Sequence, residues 1–244
     1  MRADIAEPDA SIRQLLTHTS GPPENLTYAY RPERLAPLWP ILRSCTVDSY
    51  RESFANLLAR LAMFDSVPGP NIVSLVKGAE GVPEPADVER YLSLLQRRAM
   101  PYIVDERGRA TLSSYSDAAA ALTPSSGLVT TVRDLAKFDL ALRQGILVAP
   151  GTLAQAWSAP AQASGLALPH GIGWFVQNYN GEKVVWQFGL ADNASSSLMI
   201  TLPSRGLTLI LMANSDGLVR LYSPASGDVS VSPFARLFLN LFVR

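Results

Sequence analysis

Two kinds of apolar spacing divide this chain. Up to about residue 160, apolar side chains recur at three- and four-residue intervals between proline-rich breaks; from Gly171 onward they alternate in short runs. The first half accordingly predicts helices at 11 to 18, about 32 to 44, about 48 to 62 and about 86 to 98. Ser11-Ile-Arg-Gln14 opens the first with a capping box, in which the serine accepts from the third helical amide and the glutamine reaches back. Thr131-Val-Arg-Asp134 is a second box, heading a helix whose Val132, Leu135, Phe138 and Leu142 share a face and which stops at Gly145. Tyr102-Ile-Val-Asp105 and Arg109-Ala-Thr-Leu112 flank a glycine turn and predict a short hairpin.

The second half predicts strands at 172 to 178, 183 to 188, 196 to 202 and 206 to 213, joined through Asn180-Gly181, Ala191-Asp-Asn193 and Ser204-Arg-Gly206. Such short connections make an antiparallel meander. The apolar run from Phe234 to Val243 predicts a helix buried against the sheet, since it spans only about half a bilayer. The expected fold class is α+β, in a two-layer or sandwich-like arrangement: a mainly helical lobe at about 11–160, then an antiparallel sheet with a C-terminal helix at about 171–244.

Composition narrows the chemistry. Lys plus Arg and Asp plus Glu are 21 each, so no net field favours nucleic acid or an anionic membrane, and neither partner is expected. One cysteine, Cys45, excludes an internal disulfide, and with only His18 and His170 beside it no typical zinc site is expected. No run reaches the ~20 apolar residues of a membrane span, and MRADIAEPDAS is acidic where a signal peptide is apolar. The chain as written reads as soluble, with its compartment open.

Several segments in order resemble the penicillin-binding-protein and class C β-lactamase-like serine hydrolases, a group that includes esterases and D-alanyl-D-alanine peptidases. They are SIRQLLTHTSG at 11–21, Leu61-Ala-Met-Phe-Asp-Ser-Val-Pro-Gly69, Ala99-Met-Pro-Tyr102, the stretch from Ser126 to Phe138, Gly171-Ile-Gly-Trp174, Trp186-Gln-Phe-Gly189 and Leu211-Met-Ala-Asn-Ser215. The resemblance implies a β-lactamase/transpeptidase-like fold, acyl transfer on an ester, amide or β-lactam through an acyl-serine, a small-molecule acyl substrate and no cofactor. Intact relatives are often periplasmic or secreted.

That chemistry uses a Ser-x-x-Lys at a helix start, a Tyr-x-Asn loop and a Lys/His-x-Gly strand that lends an oxyanion N–H. The first lies upstream of LLTHTSG in the family, and only ten residues precede Ser11 here. The chain is therefore expected to be N-terminally truncated, lacking the N-terminal strands and the nucleophile helix, with no nucleophile of its own. Ser74-Leu-Val-Lys77 matches the spacing but sits between Pro70 and Gly78 without a capped helix start, and reads as an accident. Tyr30 takes the place of the tyrosine and is the candidate general acid/base, although Pro32 replaces the asparagine. Gln187-Phe-Gly189 takes the third place. Gln187 there carries no proton charge, while Gly189 allows close approach and Leu190 N–H is the candidate oxyanion donor.

His18 and Ser20 read as hydrogen-bonded turn positions, and His170 has no partner visible in sequence. A degenerate site kept for binding is the rival reading, and the expected partners are the missing N-terminal segment or a second copy.

Overall fold

The computed structural model describes residues 10–74, 85–116 and 121–243. The helical lobe contains α1 (Ile12–Leu16), β1 (Thr19–Ser20), β2 (Thr27–Tyr28), α2 (Leu38–Arg43), α3 (Tyr50–Arg60), β3 (Val67–Pro68), α4 (Pro85–Gln96), β4 (Tyr102–Val104), β5 (Ala110–Leu112), β6 (Leu128–Val129), α5 (Val132–Arg143) and α6 (Pro150–Ala156). The sheet follows as β7 (Phe175–Tyr179), β8 (Glu182–Ala191), β9 (Ser195–Leu202) and β10 (Leu207–Ala213), and α7 (Pro233–Phe242) closes the chain. The four strands lie in the order β10-β9-β8-β7, all antiparallel.

Local chemistry explains the boundaries. Ser11 and Gln14 form the reciprocal cap of α1. Ser49 and Glu52 do the same for α3. The helix expected over 32–44 is broken: residues Pro32–Leu35 form a 3-10 turn and α2 starts after Pro37, because successive prolines remove the amides a continuous helix needs. At α5, Thr131 caps the Asp134 amide, but the Asp134 carboxylate does not return to the cap. It is fully buried, accepting from Ser66 Oγ at 2.8 Å and Asp65 N at 2.9 Å and pairing with Lys137 at 2.8 Å, and it ties the helix to the Asp65-Ser66 turn. Val132 is 44% exposed, so the apolar face of α5 begins later than its spacing predicts. The two-residue turn Asn180-Gly181 has φ of 49° and 81°, the left-handed pair that a tight hairpin requires.

The sheet separates two cores. On one face Phe175, Val184, Trp186, Leu198, Ile200 and Leu202 pack under α7 through Ala235, Phe238 and Leu239. On the other, Val185 packs with Leu142, Leu153 and Trp157 of the α5–α6 region. The result is sandwich-like, in three layers: helix, sheet, helices. The third layer joins α5, which the residue spacing predicts, with α6, which it does not. As expected, α7 is buried against the sheet through Ala235, Phe238 and Leu239, while Phe234, Leu237 and Leu241 on its outer side are exposed.

Candidate active site

Three segments meet at one end of β8. The pairing of β7 with β8 ends at Phe175 opposite Trp186, so residues 187–191 pair only with β9 and their other edge is open. Against that end pack the turn after α1 and the turn 170–174, and Gly173 N donates to Leu16 O at 3.1 Å.

The turn after α1 is built by His18. Its φ is 52°, a left-handed conformation that reverses the chain and drives the imidazole inward. There it is 2% exposed, and Nδ1 accepts from Arg31 N at 3.2 Å, which fixes the start of the Tyr30-Arg31-Pro32 segment. Arg34 also reaches into this turn, donating to Thr19 O at 2.8 Å. Burial, then the Arg34 guanidinium, bring the His18 pKa down to about 4. A neutral ring with the proton on Nε2 suits an Nδ1 that accepts.

His170 completes the cluster. It is fully buried, its Nδ1 lies 2.7 Å from Gly171 O, and its Nε2 has no hydrogen-bond partner among the described residues. Burial and the neighbouring His18 bring its pKa to about 3, against the weaker opposing pull of the Gly171 and Leu16 carbonyls. Its ring meets His18 edge to face at 4.6 Å and Phe175 at the same distance. No sequence signal paired these two histidines, which are 152 positions apart and join only when the 170–174 turn docks beside α1.

Tyr30 is half-buried over this cluster, 4.6 Å from His18, 5.2 Å from Phe175 and 5.3 Å from Phe188 between ring centroids. Burial raises its pKa to about 12. Tyr28 is raised further, by burial and then by Tyr30, and its hydroxyl donates to Ala225 O at 3.0 Å.

Strand alternation divides the remaining candidates. Phe188 shares the face of Trp186 and meets Tyr30, so Gln187 and Gly189 project to the opposite face. Gln187 donates from Nε2 to Gly173 O at 3.2 Å and accepts from Phe188 N at 2.9 Å, which anchors the 170–174 turn to the strand. Gly189 lies opposite Ser197, whose Oγ would stand 2.6 Å from a Cβ there. Leu190 is 42% exposed on the open part of the strand. Tyr30 and Gln187 thus approach the same strand end from its two sides. Of the Ser-Leu-Val-Lys match, Ser74 ends a 3-10 segment (Pro70–Ser74), while Lys77 lies outside the described residues. No group of His, Cys, Asp and Glu that could hold a metal occurs among the described residues. No helix among them is long and apolar enough to cross a membrane.

A helical lobe against a helix-covered antiparallel sheet, with an open strand edge where they meet, defines the β-lactamase/transpeptidase class of fold. The Beta-lactamase family model matches residues 3–225, and the chain belongs to that family of serine hydrolases. Similar solved structures include a penicillin-binding protein from Bacillus halodurans, 17% identical, with a TM-score of 0.61 over 98% of this chain and 75% of that one. A D-stereospecific amidohydrolase from Streptomyces sp. is 17% identical, with a TM-score of 0.57 over 89% of this chain and 55% of its own. The D-amino acid amidase of Ochrobactrum anthropi SV3 is 19% identical, with a TM-score of 0.53 over 78% and 52%. The chain therefore spans about half the length of two of these structures. No curated protein matches it.

Proposed function

We propose that these residues form the acyl-transfer domain of a serine hydrolase without its nucleophile, and that the 244-residue polypeptide alone forms no acyl-enzyme. The observation that carries this reading is the open edge at 187–191 beside Tyr30, with no serine–lysine pair next to it among the described residues. Once a Ser-x-x-Lys element is supplied, its serine oxygen bonds to the carbonyl carbon of a small acyl substrate and the bond from that carbon to the leaving amine or alcohol breaks. Tyr30 relays the serine's proton to the departing group, and an edge N–H, that of Leu190, holds the developing oxyanion. The amidohydrolase, the amidase and the penicillin-binding protein among the similar structures support an acyl substrate of the amide type. A second reading, a non-catalytic binding module, is favoured by Gln187, whose amide is engaged with Gly173 and offers no charge.

The test is incubation with a fluorophosphonate, a chromogenic short-chain ester and a β-lactam reporter, read by intact mass. The expected result is unmodified protein, and a stoichiometric adduct on Ser74 would overturn the proposal. Fusing a Ser-x-x-Lys segment from a relative separates the two readings. Labelling at the supplied serine supports the enzyme; a folded fusion that binds acyl ligands without labelling supports the binding module.

A further inference from the structure

His18 grips the chain on both sides of Tyr30. Its main-chain oxygen accepts from Ala29 N at 3.0 Å, and its Nδ1 accepts from Arg31 N at 3.2 Å. Between those two bonds the imidazole lies against the Tyr30 ring, with centroids 4.6 Å apart and planes at 47°. The Tyr30 hydroxyl has no hydrogen-bond partner among the described residues, whereas that of Tyr28 is held by Ala225 O. The direction of the Tyr30 side chain is therefore set by its backbone and by the rings around it, and one residue supplies the bonds to both of its neighbours.

The same turn reaches the other side of the strand. Two residues before His18, Leu16 O accepts from Gly173 N at 3.1 Å, and Gly173 O accepts from Gln187 Nε2 at 3.2 Å. A continuous path of short bonds thus runs from Tyr30 through residues 16–18 to Gln187. Behind His18, the buried His170 ring closes edge-on at 89°, so the imidazole is packed between two rings and has little room to rotate.

Chain reversal alone does not call for histidine here. With φ at 52°, position 18 suits glycine best and tolerates asparagine and histidine. Glycine would make the turn but offer no acceptor. Asparagine would make the turn and carry an acceptor on the same atom, Cγ, that carries Nδ1 in histidine. Only histidine adds a ring against Tyr30.

We propose that His18 is the positioning residue for Tyr30, holding the phenol at the open end of β8. The proposal rests on the reading of Tyr30 as the proton relay. His18 itself neither meets the substrate nor moves a proton, because its Nδ1 is occupied by Arg31 N.

Two variants separate the grip from the turn. In the chain with isotope-labelled tyrosine, His18→Gly should speed exchange of the Arg31 amide at least ~10-fold and average the Tyr30 ring signals, with the Ile200 amide unchanged. His18→Asn should stay within ~3-fold of the parent exchange rate. With a Ser-x-x-Lys segment fused on, His18→Gly should lower kcat at least ~10-fold with KM within ~2-fold, and His18→Asn should restore kcat to within ~3-fold of the parent fusion. A His18→Gly protein that matches its parent in Arg31 exchange or in kcat, or a His18→Asn protein no better than His18→Gly, would overturn the proposal. A parent fusion that binds acyl ligands without turnover would instead sink the proton-relay reading, and the Arg31 and Tyr30 signals would still decide whether His18 holds the tyrosine. If His18→Gly does not fold, the imidazole nitrogen signals of the unsubstituted chain decide. An unprotonated Nδ1 coupled to the Arg31 N–H is expected, and a protonated Nδ1 overturns the grip.

Discussion

The imidazoles of His18 and His170 meet edge to face with their centroids 4.6 Å apart, and both are buried as neutral rings. In the unfolded chain each takes up a proton near pH 6.5, whereas in the fold they do so only near 4 and 3. The unfolded state therefore binds more protons below pH 6.5, and stability falls with pH. It is complete above pH 6.5 and lost progressively toward pH 4 and then 3, by an amount on the order of a few kcal/mol. Urea midpoints at pH 7.5, 5.5 and 4.5 should decrease in that order. His170→Phe should flatten the decrease, and a midpoint unchanged between pH 7.5 and 4.5 would contradict the burial argument.

Asp134 and Lys137 are unequal partners in one ion pair. The carboxylate is fully buried and also serves Ser66 and the Asp65 amide, while the ammonium side chain is 42% exposed. Asp134→Ala removes the acceptor of the buried Ser66 hydroxyl, which keeps Thr130, and of the Asp65 amide, and should cost about 1–3 kcal/mol; Lys137→Ala should cost under about 1 kcal/mol. Chemical denaturation of the two variants checks the ratio.

Gly171 and Gly189 differ in what a methyl group would meet. At Gly171 a Cβ runs into the main-chain oxygen of Ala156, which cannot rotate away, whereas at Gly189 it meets the rotatable hydroxyl of Ser197. Gly171→Ala should destabilise by about 2 kcal/mol or more and disturb the adjacent His170; Gly189→Ala should cost about 1 kcal/mol or less. Thermal melts, with the imidazole NMR signals of His170, distinguish them.

Tyr30 is held near pKa 12 because burial disfavours its phenolate. At neutral pH it is a poor base as it stands. Supplying a Ser-x-x-Lys segment brings an ammonium to the strand end, which should lower the pKa by a unit or more, followed through the ring-carbon NMR shift of Tyr30. In that completed protein Gln187→His should add a titration near pH 6.5 to the activity profile. Identical profiles would remove position 187 from proton transfer.

Local chemistry was legible in the residue order wherever one short stretch decides the outcome. The Ser11–Gln14 box begins α1, Asn180-Gly181 closes the β7–β8 hairpin, Gly145 stops α5, and period-two alternation sets four strands with Trp186 and Phe188 on one face. These depend on backbone dihedrals and neighbours a few residues away, which sequence states directly. The motif residues were legible as positions, but not as a site. That Gln187 faces away from Tyr30, and that His18 meets His170 edge to face, follows from strand register and from docking of the 170–174 turn. Contacts between residues so far apart have no local signature. Asp134 illustrates the limit: its spacing from Thr131 marks a capping box, yet tertiary packing brings Ser66 and the Asp65 amide within reach of a buried carboxylate that also pairs with Lys137 one turn along its own helix, and those bonds outweigh a return to the cap. In the same way, the apolar run of α7 predicted a buried helix. Tertiary packing decided which of its side chains meet the sheet, Ala235, Phe238 and Leu239, and which stay exposed, Phe234, Leu237 and Leu241.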